Sequence, residues 1–578
     1  MLSNIAARKY DSFMISRTSE KILGYILLVA GPVISLFITP FTSVDPVNQS
    51  KMVLLVPCAL VIFSILLVNY RVLLKAGNLI FLVLCILFIS QLSLVLFFSG
   101  APFNQQFYGT FGRNTGFLTY ASLVLIAVGA CYVASVKFLE KVSFGLITTG
   151  LISAIYCLLQ TFKKDPVAWS NPYNSIVGFL GNPNFASSFL AITAISVFAY
   201  LLRIKLNLFY RISSALYILL ALFLIVRSNS QQGLLVFGAG SALVFLLFLI
   251  GTPKFSKKPI ILLYSGISLF IGLIVISATL NKGPLASLIY KLSVRQRGFY
   301  WDSAISMMQS HPIFGVGLDS YGDWYLATRS TDAAFYTPLT TSNAAHNVFL
   351  ELGATGGIPL FIINISLVLV TAWSAVKYLR RQKKFDWAYA GLLGAWVGYE
   401  SQALISINQI GLVIWGWLLM GLLVGIEFRT REVFPNPIEK NRNSGGFGRN
   451  VAKEKGADLT KVLATSVVGL ILALTVVIPV FLSDANFRKG LSSKDANRFI
   501  EAIQAKPIDD SRMVQGAQVL AKSNLMPQAN FIVDKVIADN PRFYNAWELK
   551  LQLATPNSEE ALKAKEVLNK LNPKVPVK

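Results

Sequence analysis

Of the two histidines in this 578-residue chain, His346 stands where proton transfer would be useful. It lies in Asn343-Ala344-Ala345-His346-Asn347, where a polar segment meets the apolar stretch 348–358 that carries Glu351. A neutral imidazole takes a proton from a hydroxyl near neutral pH without a metal, and such general-base help contributes ~10²–10⁴-fold. Read alone, the residue fits a helix-capping or structural histidine equally well. His311, followed by Pro312-Ile313-Phe314-Gly315-Val316-Gly317, reads as a turn with backbone constraints.

Arginines form the second set. Arg295-Gln296-Arg297 precedes Trp301, Arg113 sits in Gly109-Thr110-Phe111-Gly112-Arg113-Asn114-Thr115-Gly116, and Arg227 opens Arg227-Ser228-Asn229-Ser230-Gln231-Gln232-Gly233. A guanidinium stays charged and offers a planar fork, which suits phosphate or diphosphate. Each arginine alone reads as a headgroup anchor; together with His346 they suggest an outward-facing site for a lipid-linked anionic substrate. Glu351 and Glu400 are carboxylates within apolar stretches near their outer ends, where an ionised group costs ~2.5–3.5 kcal/mol on insertion scales, so each pairs with an outer arginine or snorkels. Cys58, Cys85, Cys131 and Cys157 fall in apolar runs without pairing or metal spacing and read as packing residues. The pattern calls for no metal and no cofactor.

The elements that must position these groups follow from composition. Apolar residues make up 54% and charged ones 14%, against about 25% charged in globular chains, and mean hydropathy is +0.59. Lipid must cover much of such a surface, which excludes a soluble domain and general disorder. Thirteen apolar runs occur, near 22–42, 52–68, 79–98, 117–135, 142–160, 183–202, 212–226, 233–250, 260–280, 358–376, 387–405, 410–428 and 461–482. The first lacks a cleavage site and reads as retained. The expected fold is therefore all-α and polytopic, with about 13 transmembrane helices.

An odd number of spans puts the termini on opposite sides. One set of connecting segments holds 27 Lys/Arg and the other 10, so the positive-inside rule predicts a cytoplasmic N-terminus and an extracytoplasmic C-terminus. The net charge of +24 is then mostly topology signal facing anionic membrane lipid rather than nucleic acid. The expected organisation is a cytoplasmic 1–21, a membrane domain 22–428 with an external loop 281–357, a cytoplasmic linker 429–460, a last span 461–482 and an external helical domain 483–578. In that tail Pro507, Pro541 and Pro573 are spaced by 34 and 32 residues, and Asn540-Pro541 recurs as Asn572-Pro573. The period resembles tetratricopeptide repeats, with a plain stack of helical hairpins as the alternative. Such a tail offers a surface for a protein partner.

The order Arg297-x-x-x-Trp301, His311-Pro312-Ile313-Phe314-Gly315-Val316-Gly317, His346-Asn347-Val348-Phe349-Leu350-Glu351 and Gly356-Gly357 resembles the large periplasmic loop of the O-antigen ligase and Wzy-type polymerase superfamily. Gly181-Asn182-Pro183-Asn184 and Gly112-Arg113-x-x-Gly116 resemble its shorter motifs, and the resemblance covers about 20–428. It implies a metal-independent, GT-C-like glycosyltransferase in the bacterial cytoplasmic membrane. Such an enzyme moves a glycan from undecaprenyl diphosphate to a hydroxyl of a glycan, lipid or protein acceptor. It further implies His346 as general base and Arg297 as diphosphate holder, with Arg113 and Arg295 as helpers and Asn347, Glu351, Gln231 and Gln232 in support. Where many ligases carry Ser-Arg-Gly, this chain has Ser230-Gln231-Gln232-Gly233, leaving Arg227 to replace the missing arginine.

Two other classes compete. A transporter or flippase of a lipid-linked saccharide predicts a polar path through the bilayer and repeated halves, neither visible in the sequence. A scaffold anchoring the tail needs far fewer than thirteen spans.

Overall fold

The computed structural model describes residues 17–70, 78–169, 174, 176–382, 384–431, 459–493 and 495–576. Most of the expected cytoplasmic N-terminus and of the linker 429–460 lies outside these residues. Among the described residues the chain is helical throughout, without a strand.

Among the described residues eleven helices are long and apolar enough to cross a membrane. They are α1 (Arg17–Leu36), α2 (Asn48–Val68), α3 (Leu79–Phe98), α6 (Val136–Thr161), α7 (Pro183–Leu201), α8 (Leu208–Arg227), α9 (Gln231–Gly251), α10 (Lys258–Thr279), α15 (Val348–Arg381), α17 (Ile410–Arg431) and α18 (Leu459–Leu491). The other two expected runs fold as 17-residue helices, α5 (Phe117–Val133) and α16 (Trp387–Ala403). Both are short for a bilayer of ~30 Å at 1.5 Å per residue and are largely buried among longer neighbours.

The centre of the bundle is α17, buried along its whole apolar length, whereas the apolar window of α10 is not buried at all and is left for lipid. Gly421 and Gly425, one turn apart on α17, meet the α5 backbone at Ala127 and Cys131 so closely that a Cβ would lie 2.0 and 2.2 Å from their carbonyl oxygens. Close backbone approach through small residues is how helices associate when lipid offers no hydrophobic drive.

Short helices cluster at one end: α4 (Phe103–Tyr108), α11 (Ala286–Ile289), α12 (Leu292–Ser310), α13 (Tyr321–Thr328) and α14 (Thr331–Tyr336). The expected span 358–376 is the second limb of α15, which kinks at Gly357 with φ 81°. Its first limb, 348–356, belongs with the short helices. At the opposite end Arg429 pairs with Glu20 at 2.8 Å and Arg381 with Glu427 at 3.2 Å.

The tail does not begin at 483 as expected. Helix α18 continues from its apolar part to Leu491, burying Ser483, Asp484 and Phe487. It leads into α19 (Ala496–Ile503), α20 (Asp510–Lys522), α21 (Met526–Asp539), α22 (Tyr544–Leu553) and α23 (Glu559–Leu571), stacked as helical hairpins around Phe487, Phe499, Ile503 and Ile532.

This tail is docked on the membrane domain. Asp484 Oδ2 accepts from the Val44 and Asp45 amides at 3.0 and 3.1 Å, and Arg488 donates to the Ser43 carbonyl at 2.6 Å. The two recurring asparagines make further joints: Asn540 donates to Gln105 and Asp323 at 3.2 Å, and Asn572 accepts from the fully buried Arg329 at 2.9 Å. Arg542 lies 3.4 Å over the ring of Trp324.

Candidate functional site

His346 is held by the start of α15. Asn347 is the N-cap, accepting from the Phe349 and Leu350 amides at 3.0 and 3.1 Å and so satisfying two of the helix's orphan donors. The residue before it has nowhere to go but a sharp turn: His346 adopts φ 51°, a left-handed conformation uncommon for a residue with a Cβ. Such strain persists only where the surroundings over-determine it. Here the Ala345 amide donates to Glu351 one turn into the helix, Ala344 and Ala345 are fully buried, and the Asn343 carbonyl accepts from Arg113.

The first limb of α15 is fixed from below. The Val316 and Gly317 amides donate to the Ala354 and Thr355 carbonyls at 2.9 and 3.2 Å, and the Ile358 amide donates to Pro312 at 2.8 Å. Gly315 (φ 62°) and Gly357 (φ 81°) make this docking possible, since a Cβ at Gly357 would lie 2.3 Å from the Ile313 carbonyl oxygen. Gln91 of α3 donates to Ile313 and Gly356 at 2.7 and 3.0 Å, tying the joint to a membrane span. The His311–Gly317 motif thus works as a constrained turn under the site. The imidazole of His311 bonds Ser310 at 3.0 Å and stands edge-on to Trp324.

Arg113 is buried beneath His346. Its Nη2 lies 3.3 Å from Asp319 and 3.2 Å from Glu351. Burial alone would lower its pKa, but the two carboxylates override this and raise it. The expected helper role in diphosphate binding is not one this setting offers, because its charge is already matched by two carboxylates from other segments. Asp319 carries φ 56° and also accepts from Thr110 and Thr115 at 2.7 and 3.2 Å, so Arg113, Asp319 and Glu351 form one clamp.

Arg297 differs. It sits on α12 one turn before Tyr300, whose ring stacks on His346 at 5.3 Å between centroids. Among the described residues no carboxylate pairs with it, and its Nε and the indole Nε1 of Trp301 are buried without a hydrogen-bond partner. Burial lowers the Arg297 pKa. Two unsatisfied buried donors one turn apart are a setting that an anion would stabilise.

The remaining expected residues lie apart. Arg295, two positions from Arg297 and so on a different helix face, stacks 3.7 Å over Tyr336 and forms no shared fork with it. Arg227 is exposed at the end of α8, its carbonyl accepting from Asn174 at 3.2 Å. Gln231 is exposed and donates to the Leu288 carbonyl at 3.1 Å, while Gln232 is buried with both amide atoms unpartnered. Beside them Ser230 donates to Asn184 at 2.8 Å, so the Asn182-Pro183-Asn184 motif meets the Ser230–Gly233 motif. None of these residues, Arg227 included, lines the cavity at His346. Glu400 lines a small void with Tyr120, Tyr399 and Asn408 and has no ion pair among the described residues.

That cavity has a volume of about 490 Å³. It is lined by His346, Tyr300, Asn343, Gln105, Asp319 and Asp323 and by Asp509, Asp510, Asp539 and Tyr544 of the tail. Burial, then the positive charge of Arg297 and Arg113, pushes the His346 pKa down to about 4, so the imidazole is neutral at pH 7 and able to accept a proton. Sequence reasoning missed Tyr300, the Arg113 partner Asp319 and the tail aspartates. Tyr300 was discoverable from its three-residue offset from Arg297; the others carry no local signal.

Residues 216–365 match the family model described as O-antigen ligase, Wzy_C, and no curated protein matches the chain. The matched segment runs from within α8 into α15 and contains Arg227, Gln231, Gln232, Arg295, Arg297 and His346. Arg113 and the tail lie outside it. Residues 216–365 are thus similar to O-antigen ligases, and the long apolar helices among the described residues point to a multi-pass membrane protein.

Proposed function

We propose, from that premise, that the protein transfers a glycan from a lipid-linked diphosphate donor of the undecaprenyl type to an acceptor hydroxyl at His346. The observation that carries this reading is the pairing of a neutral, cavity-lining imidazole with a half-buried guanidinium that has no carboxylate partner among the described residues and lies one turn from the tyrosine stacked on that imidazole. The acceptor oxygen attacks the anomeric carbon, the bond from that carbon to the diphosphate oxygen breaks, and the acceptor proton passes to His346. The departing diphosphate keeps the electron pair and is held by Arg297 and the Trp301 N–H.

Donor binding also tunes the base. The Arg297 charge depresses the proton affinity of His346, and a diphosphate beside Arg297 offsets that charge, raising the affinity when the donor is in place. His346 is therefore a weak base in the empty enzyme and a stronger one in the loaded enzyme. No side chain here needs to supply a metal.

In the membrane, the end bearing His346 is read as extracytoplasmic and the end bearing Arg381 and Arg429 as cytoplasmic, in the bacterial cytoplasmic membrane, on the strength of the Lys/Arg bias between segments. Transfer from a defined lipid-linked glycan by protein in lipid nanodiscs tests the assignment. His346→Ala and Arg297→Ala are each expected to abolish most transfer while expression and thermal stability hold; full activity in both would sink it.

A further inference from the structure

The cavity is built from two parts of the chain, and the tail's half is acidic. Asp509 and Asp510 at the start of α20, with Asp539 at the end of α21, face Asp319 and Asp323 across the space, and no Lys or Arg lines it. Some of these carboxylates are already engaged. Asp319 belongs to the Arg113 clamp, Asp323 accepts from Gln105 and Asn540 at 2.9 and 3.2 Å with Arg542 nearby, and Asp509 caps α20 by accepting from the Arg512 amide at 2.8 Å.

Asp510 is different. It is 8% exposed, lines the cavity, and its Oδ1 has no hydrogen-bond partner. Burial, followed by the charges of Asp539, Asp509 and Asp323, pushes its pKa up to about 8. Asn540 engages the carboxyl group, but an oxygen buried among like charges with no donor of its own is costly unless something cationic or hydrogen-bonding comes to it. Among the described residues no group of His, Cys, Asp and Glu has the arrangement to hold a metal ion, which leaves an organic donor as the fitting partner. The lining also includes aromatic and amide side chains, among them Phe111, Tyr300, Phe543, Tyr544, Asn104 and Asn545. Aromatic faces with a few polar groups suit a sugar ring, and the volume of about 490 Å³ falls in the ~300–1,000 Å³ range of small-ligand sites.

We infer that the tail supplies half of the acceptor site, and that this site takes a glycan end carrying a free amino group while rejecting anionic acceptors. The ammonium donates to Asp510 and Asp539, its charge releasing to solvent the proton that Asp510 carries in the empty cavity, the ring lies against Tyr300 and Tyr544, and a hydroxyl is thereby presented to His346. Specificity comes as much from repulsion as from attraction, since a uronate or phosphate would enter a carboxylate-lined space with no cation to meet it. This inference rests on the transfer reading for the word acceptor, but the binding it predicts does not.

The test is donor-free binding to the full chain in nanodiscs at pH 6, using fully deacetylated chitobiose, di-N-acetylchitobiose and digalacturonate. The deacetylated sugar is expected to bind at least about tenfold more tightly than the acetylated one, as one charge-assisted contact would give, and digalacturonate not measurably. Asp510→Asn combined with Asp539→Asn should erase the amino preference, and Glu559→Gln, an exposed tail charge away from the cavity, should leave it intact. Equal affinity for the three sugars, tighter binding of digalacturonate, or a preference unchanged in the double variant would overturn the inference. Binding in His346→Ala is expected to match the wild type, so a failure of the base assignment shows in transfer and a failure of this inference shows in binding.

Discussion

Arg113 and Arg297 both act on the charge of the same histidine, the first buried and the second half-buried, yet they are opposite in kind. Arg113 meets two carboxylates and a carbonyl and has no charge left to offer. Arg297 is half-buried and has no carboxylate partner among the described residues; an unpartnered Nε is common to both arginines. A buried cation whose partner is built in ties segments together; a half-buried cation whose partner is missing marks where a ligand belongs. Residue type alone does not distinguish them, because the distinction lies in what the fold places opposite.

The largest effect should come from breaking the clamp. Arg113→Ala leaves Asp319 and Glu351 buried without a counter-charge, which typically costs ~3–5 kcal/mol, and thermal unfolding in detergent should register it. Adding Asp319→Asn and Glu351→Gln should recover much of the loss, whereas intact stability in Arg113→Ala alone would end the comparison. Next is Arg297→Ala, expected to leave the melting temperature within a few degrees and to lower kcat ~10²–10³-fold, the scale for removing one charge-stabilising donor. Arg297→Lys should restore only part of this, because an ammonium lacks the planar fork.

A finer effect is on protonation. The folded-state pKa of His346 lies below that of a free imidazole, so the unfolded chain takes up a proton first as pH falls from about 6.5 toward 4 and stability declines across that window. With only two histidines, His311→Gln leaves a single imidazole for NMR titration. Its pKa should rise in Arg297→Ala and rise again when inorganic diphosphate is added to the wild type; a titration unmoved by either would separate the two residues. The smallest effect belongs to Arg295→Ala, which removes the stacking on Tyr336 and should cost ~0.5–1 kcal/mol of stability with transfer unchanged.

How much of this was legible in the sequence varies by kind of interaction. Among the described residues hydropathy located the eleven helices long and apolar enough to cross a membrane and the shorter α5 and α16, because a run of apolar residues is a local property; it misjudged how far α5, α15 and α16 extend and where the tail begins. His346 and Arg297 stood out because their motifs are contiguous. The clamp was not legible: Arg113 and Asp319 are 206 residues apart, and nothing near either names the other. The recurring Asn-Pro pairs looked like repeat punctuation, yet Asn540 and Asn572 each reach across to the segment 281–357, at Asp323 and Arg329. Docking of the tail on that segment is a long-range property that no window of sequence contains.

The kink at Gly357 joins the turn below His346 to two membrane-crossing helices, α3 through Gln91 and the long limb of α15 directly. Under the proposed reading this works as a depth gauge. The height of the imidazole above the hydrocarbon is set by helices that the bilayer itself holds in place, and a lipid-linked diphosphate is held at its own fixed height by its lipid. Base and leaving group therefore arrive at matching levels before any acceptor enters, and the acceptor alone must be steered into position.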